Sequence, residues 1–153
     1  MEKTLVLIKP DGVQRRLIGE IVGRVEKKGL KLAALKLFSV TEKQARELYS
    51  IHKGKPFYEG LVKFITQSPI VAMVIEGFSA ITAVRKLLGA TYGFQAEPGT
   101  IRGDFGLSKA MNLVHGSDSP ESAAREIPIF FSKEELLSYD ICDKDWVSKA
   151  KED

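Results

Sequence analysis

The chain has 153 residues, 44% apolar and 28% charged, enough for one domain with a real core and short for two. Its 23 basic residues against 20 acidic ones leave a net charge of +3, too small and dispersed to argue for duplex nucleic acid or a membrane surface, yet no obstacle to a compact polyanion in a local basic cleft. Cys142 stands alone, so no internal disulfide can form, as in a reducing compartment. A strand-like run starts directly after Met1-Glu2-Lys3 and leaves no room for a signal peptide. The longest apolar run, Ile70 to Ile75, falls far below a membrane span. A single cytoplasmic domain over residues 1–153 is expected.

Thr4 to Lys9 is a nearly continuous apolar run, the pattern of a central buried strand, and Pro10-Asp11-Gly12 ends it as a turn. Lys9 then sits at a strand end facing a loop. Ile18, Ile21, Val22 and Val25 follow helical spacing up to Gly29. Leu30 to Val40 reads as a second strand with Lys31 and Lys36 exposed. Thr41 caps a helix carrying Ala45, Leu48 and Tyr49. His52 to Pro56 breaks it, with His52 exposed and inert, and Phe57, Leu61, Phe64 and Ile65 mark a second helix, making a helical hairpin. Ile70 to Glu76 is the third strand, and Ala80 to Leu88 a helix carrying Arg85. From Gly89 to Arg102 periodicity vanishes, and so long a loop in a compact domain is usually functional or disordered; its aromatic and apolar residues argue against disorder. A short helix follows to about Ala110. Leu113 to Gly116 is the fourth strand, Pro120 to Ile127 a helix stopped by Pro128, Ile129-Phe130-Phe131 a packed segment and Lys133 to Leu137 a last helical turn. Lys149 to Asp153 reads as a frayed tail. The order predicts an α/β sandwich, a ferredoxin-like βαββαβ with a four-stranded antiparallel sheet and an inserted helical hairpin.

The chain is organised around Asn112-Leu113-Val114-His115-Gly116-Ser117-Asp118-Ser119. It holds one of two histidines and surrounds it with an amide, a glycine, hydroxyls and a carboxylate. Extended backbone would project His115 and Ser117 to one side, and Gly116 would let a ligand approach the backbone. Ser119-Pro120-Glu121 reads as a capped helix start, so the histidine precedes a helix N-terminus, where anions are stabilised. On these residues alone, a satisfied histidine beside a capped turn and a reactive histidine account equally well. Candidate partners are Lys9, Tyr49, Phe57, Arg85, Thr91, Arg102, Asn112, Ser117 and Glu126. Two distant histidines and one cysteine make no zinc spacing, and neither a P-loop nor a dinucleotide glycine pattern is present.

Asn112-x-x-His115-Gly116-Ser117-Asp118-Ser119 resembles the active-site signature of nucleoside diphosphate kinases. Lys9-Pro10-Asp11-Gly12-Val13-Gln14-Arg15, Lys55-Pro56-Phe57, Gly60-Leu61-Val62 and Pro98-Gly99-Thr100-Ile101-Arg102-Gly103-Asp104-Phe105 resemble further segments of that family, colinear from about Thr4 to Trp146. The resemblance implies transfer of the γ-phosphate of a nucleoside triphosphate to a nucleoside diphosphate through a phosphohistidine on His115. An imidazole is largely neutral at about pH 7 and needs no strong base to act as a nucleophile. Two half-reactions through one covalent intermediate mean ping-pong kinetics.

By that resemblance Lys9, Arg85, Thr91 and Arg102 would hold the phosphates, Tyr49 would lie near the transferred group, and Asn112 with Lys9 would meet the sugar hydroxyls. Phe57, with Leu61 a turn further on, would hold the base with little regard for its identity. Ser117 and Glu126 would support His115, Glu126 on the nitrogen opposite the phosphorylated one. Magnesium (Mg2+) would bridge the phosphates, held mainly by nucleotide and water. A homo-oligomer is implied, a hexamer rather than a tetramer, needing neither nucleic acid nor membrane. After Thr91 the family continues with Asn or Asp and then Pro; Tyr92-Gly93-Phe94 departs from this and puts the loop's conformation in doubt. The alternative class is a non-catalytic nucleic-acid-binding or regulatory module, which would need exposed aromatics on the sheet or a lost ligand.

Overall fold

The structure is a computed structural model and describes residues 1–148. Strands β1 (Glu2–Ile8), β2 (Lys31–Phe38), β3 (Ile70–Gly77) and β4 (Val114–Gly116) form one sheet in the order β2-β3-β1-β4, every neighbouring pair antiparallel. This is the expected ferredoxin-like order. Helices α2 (Ile18–Lys27) and α5 (Ala80–Leu88) connect the strands; the hairpin of α3 (Glu42–Leu48) and α4 (Tyr58–Thr66) is inserted between β2 and β3, and α7 (Pro120–Phe130) follows β4.

The period of two in β1 feeds two cores. Val6 and Ile8 pack with Ile21, Val25, Val84 and Leu88, while Leu5 and Leu7 pack with Leu48, Val62, Ile65 and Phe130. Helices therefore cover both faces, which is why β1 and β3 read as continuous apolar runs rather than alternating ones. No sheet face is left on which a nucleic-acid module could stack bases. The predicted caps form. The Thr41 hydroxyl accepts from the Gln44 amide while the Gln44 side chain accepts from the Thr41 N–H, and the Ser119 hydroxyl accepts from the Ser122 N–H.

Several expectations are corrected. Pro10-Asp11-Gly12 opens a short helix, α1 (Pro10–Gln14), because a proline in the first turn needs no N–H partner. Helix α6 (Ile101–Phe105) stops well before Ala110; beyond it Leu107 lies exposed and nothing packs a further turn. Pro128 does not end α7. It removes one N–H, but the helix runs on to Phe130, and buried Ile129, Phe130 and Phe131 anchor its end. Lys133–Leu137 is a hydrogen-bonded turn, and the last helix among the described residues is α8 (Lys144–Val147). On edge strand β2, Lys31 is not exposed but lies against Glu76, 3.2 Å away, and the Tyr139 ring, and Lys36, half-buried, reaches Glu135. The exposed side chains there are Leu35 and Leu37, at 49% and 59%. The predicted frayed tail lies outside the described residues. No helix among the described residues is long and apolar enough to cross a membrane.

Candidate active site

Antiparallel pairing sets His115 opposite Leu7, on the sheet face that α3, α4 and α7 cover. From α7, Glu126 meets it: His115 Nε2 lies 2.9 Å from Glu126 Oε2, and Ser117 Oγ donates to the same oxygen at 2.7 Å. The predicted same-side placement of His115 and Ser117 thus holds. Burial pushes the Glu126 carboxyl up, but the hydrogen bond and charge of His115, the Ser117 hydroxyl and the Arg125 guanidinium outweigh it and keep the group below its ordinary value. An ionised carboxylate can only accept. In the neutral ring Nε2 therefore carries the proton, and Nδ1 has no hydrogen-bond partner among the described residues. A Cβ on Gly116 would stand 2.8 Å from Leu88 Cδ1, on the side of β4 that α5 covers.

The residue expected to begin β4 is instead strained. Leu113, fully buried, has φ +72, and Val114 N–H donates to the Asn112 carbonyl at 2.8 Å across it. That is a γ-turn of the positive-φ kind, which costs about 1–3 kcal/mol for a residue with a side chain. Two bonds hold it: Leu113 N–H donates to Asp11 Oδ2 (2.9 Å), and Lys9 N–H to the Leu113 carbonyl (2.8 Å). The turn delivers Asn112 on one side and His115 on the other. Asn112 donates from Nδ2 to the Thr91 carbonyl (3.0 Å), and its buried Oδ1 has no partner among the described residues.

Three cations surround this turn. Arg102, 4% exposed, donates from Nε to Asn112, from one terminal nitrogen to Gly89 and from the other to Val114, always to backbone carbonyls and within 3.0 Å. It ties α6, the end of α5 and β4 together, and each terminal nitrogen keeps a second N–H. Burial and, after it, the charge of Arg85 bring its pKa down to about 10, against the opposing charge of Asp11. Lys9 Nζ approaches the Ala110 carbonyl (3.4 Å) and lies over the Phe64 ring; burial brings it down to about 8, Asp11 resists and Arg102 adds to the fall. Arg85 reaches from α5 to the Gly116 carbonyl at 3.5 Å. On the hairpin side, buried Tyr49 is held protonated by burial and by the charge of Glu126. Phe57 stands 51% exposed at the start of α4, one turn before half-buried Leu61. Behind it His52 sets its ring at 61° and 5.4 Å from Phe57. The expected exposed, inert His52 is thus half-buried packing for Phe57, because the turn after α3 folds inward. A separate cavity of about 410 Å³ among Lys28, Phe78, Tyr139 and Val147 contains none of these residues.

The profile of the nucleoside diphosphate kinase family matches residues 2–136. The chain is 58% identical over 147 residues to the nucleoside diphosphate kinase of Halalkalibacterium halodurans, covering 96% of this chain and all of that one. It is 53% identical over 151 residues to that of Archaeoglobus fulgidus, covering 99% and 100%. The chain belongs to the nucleoside diphosphate kinase family. Among solved structures, a halophilic nucleoside diphosphate kinase from Halobacterium salinarum in complex with CDP superposes with a TM-score of 0.94 at 49% identity, over 97% of this chain and 99% of that one. A nucleoside diphosphate kinase family protein from Babesia bovis gives 0.94 at 45% identity, over 97% and 100%. As a member of this family the protein is a phosphotransferase that binds nucleotides and makes triphosphates from diphosphates.

Against that family, the departure at Tyr92-Gly93-Phe94 leaves the site's frame in place. Gly93 is buried so tightly on the Gly106 backbone that a side chain would collide with it, and the Tyr92 ring meets Phe94 and Lys109. The Thr91 carbonyl still receives Asn112. Three supporting residues escaped the sequence. Asp11 hides in what reads as turn punctuation, Arg125 stands beside Glu126 on an exposed-looking helix face, and His52 follows a helix end. Only the spacing Lys9-x-Asp11 offered a signal, a carboxylate two residues from a candidate phosphate ligand.

Proposed function

We propose that His115 Nδ1 is the nucleophile of a two-step γ-phosphoryl shuttle. Its lone pair forms a bond to the γ-phosphorus of a nucleoside triphosphate as the bond from that phosphorus to the β–γ bridging oxygen breaks, and the diphosphate leaves with the electron pair. Nε2 keeps its proton, and Glu126 holds it against the positive charge that grows on the ring. An acceptor diphosphate then attacks the phosphohistidine and returns the lone pair to Nδ1. The observation that carries this reading is the Nε2–Glu126 contact of 2.9 Å, which commits one nitrogen and leaves the other open.

Lys9, Arg85, Thr91 and Arg102 hold the phosphates. The unpartnered Asn112 Oδ1 accepts from a sugar hydroxyl, and half-exposed Phe57 with Leu61 stacks on the base without reading its edges. Tyr49, kept protonated, stands near the transferred group. The lysine and arginines of the phosphate side are ligands for phosphate oxygens and not for a metal, so Mg2+ would arrive with its nucleotide, held mainly by phosphate oxygens and water, and would supply neutralisation of phosphate charge. The assembly is a homo-oligomer, a hexamer by family, with the exposed Leu35 and Leu37 of edge strand β2 as a natural contact. The compartment is the cytoplasm, in keeping with the lone Cys142.

The test is labelling with magnesium and ATP carrying a labelled γ-phosphate. Acid-labile, base-stable label that moves to GDP and is absent from His115→Ala is the expected result. Label that persists in His115→Ala would overturn the assignment.

A further inference from the structure

Asp11 joins the two halves of the site from outside the residues assigned above. It is the second residue of α1, and its carboxylate spans 102 positions of sequence to accept the Leu113 N–H through Oδ2 at 2.9 Å. Lys9, two residues earlier, donates its N–H to the Leu113 carbonyl. Both backbone polar groups of the strained residue are thus held from one short segment. Asp11 Oδ1, the other carboxylate oxygen, is buried with no hydrogen-bond partner among the described residues.

We propose that Asp11 is a positioning residue for phosphoryl transfer: its carboxylate holds the γ-turn that delivers Asn112 and His115 and fixes a negative charge beside Lys9 and Arg102. The inference rests on reading His115 as the nucleophile and Lys9 as a phosphate ligand. Around the Lys9 ammonium stand Asp11 from α1, Arg102 from α6, the Phe64 ring from α4 and the Ala110 carbonyl. Burial and Arg102 drive the ammonium towards its neutral form, and Asp11 opposes them. In the nucleotide complex the phosphates dominate that field. Asp11 therefore counts most in the free enzyme, whose titrations kcat/KM reports, and less in kcat.

The experiment compares wild type, Asp11→Asn, Asp11→Glu and Lys9→Arg, each checked for its melting temperature and for label on His115. Both kcat/KM and kcat are followed from neutral to alkaline pH. Asparagine keeps an acceptor for Leu113 and removes the charge. Folded Asp11→Asn should lose its kcat/KM at lower pH than wild type, with the kcat profile moved less. A displacement of about one pH unit would leave about fivefold less protonated Lys9 near pH 8. A merely structural role would lower both constants at every pH and move neither profile. A folded Asp11→Asn with wild-type profiles overturns the inference. If Asp11→Asn does not fold, Asp11→Glu decides, because it keeps the charge and changes the reach: the alkaline limb should stay in place while phosphorylation of His115 slows. An Asp11→Glu that matches wild type in both, or loses the limb as well, overturns the inference. Lys9→Arg does not titrate in this range and should lack the limb. If the limb persists there, the reading of Lys9 falls; if it vanishes while Asp11→Asn behaves as wild type, only the Asp11 inference falls.

Discussion

Replacing Glu126 by glutamine tests the claim that an ionised acceptor fixes the His115 tautomer. The carboxylate takes His115 Nε2 and Ser117 Oγ on one oxygen and Arg125 on the other, at 2.9, 2.7 and 3.1 Å. A glutamine cannot meet all three. With its oxygen towards His115, its amide nitrogen faces the Arg125 guanidinium, donor against donor. Turned round, the nitrogen faces His115, the ring must accept through Nε2, and Nδ1 takes the proton and ceases to be a nucleophile. A hydrogen bond to a charged group is worth about 1.5–3 kcal/mol. The bond to Nε2–H strengthens as the ring gains positive charge, so much of that loss falls on the barrier. The expected result is phosphohistidine formation slowed about 10- to 150-fold. Quenched-flow mixing with γ-labelled ATP at saturation, with the melting temperature recorded beside it, measures this directly. A folded Glu126→Gln that labels His115 within about twofold of the wild-type rate would refute the tautomer reasoning.

Arg102→Lys replaces a fork of three nitrogens by one and cannot span all three carbonyls it holds, so urea unfolding should show a loss of about 1–3 kcal/mol; a change below about 0.5 kcal/mol would count against the clamp. Phe57→Ala should raise KM for ADP, GDP and CDP together by several-fold and leave kcat nearly unchanged, whereas a rise confined to one base would show edge recognition. Lys9 sits at about 8 against an ordinary 10.5. Between those values the unfolded chain binds more protons than the folded one, so Lys9 adds stability as pH rises, about 3 kcal/mol across the window. The urea midpoint of wild type should therefore rise relative to that of Lys9→Met on going alkaline, and a constant difference would contradict the depressed ammonium.

The sequence by itself determined whatever depends on neighbours along the chain. The continuous apolar runs of β1 and β3, the Thr41 and Ser119 caps and the same-side placement of His115 and Ser117 are set by dihedral sterics, side-chain period and hydrogen bonds spanning a few residues, and these stood in the structure as expected. The antiparallel sheet followed from the order of the elements, with a helical hairpin joining the second and third strands, and the phosphotransfer reading from the colinear match of separated segments. Tertiary structure decided the rest. The inserted hairpin and α7 close the second face of the sheet and make a packing residue of His52; buried Ile129 and Phe130 carry α7 past Pro128. Leu113 could be predicted as strand, because no local signal foretells a positive φ enforced by Asp11 from 102 residues away. The depressed Lys9 is likewise invisible in sequence. Protonation and strain follow from burial and from partners brought together only by folding, where lost hydration makes each charge answer to the few groups within reach.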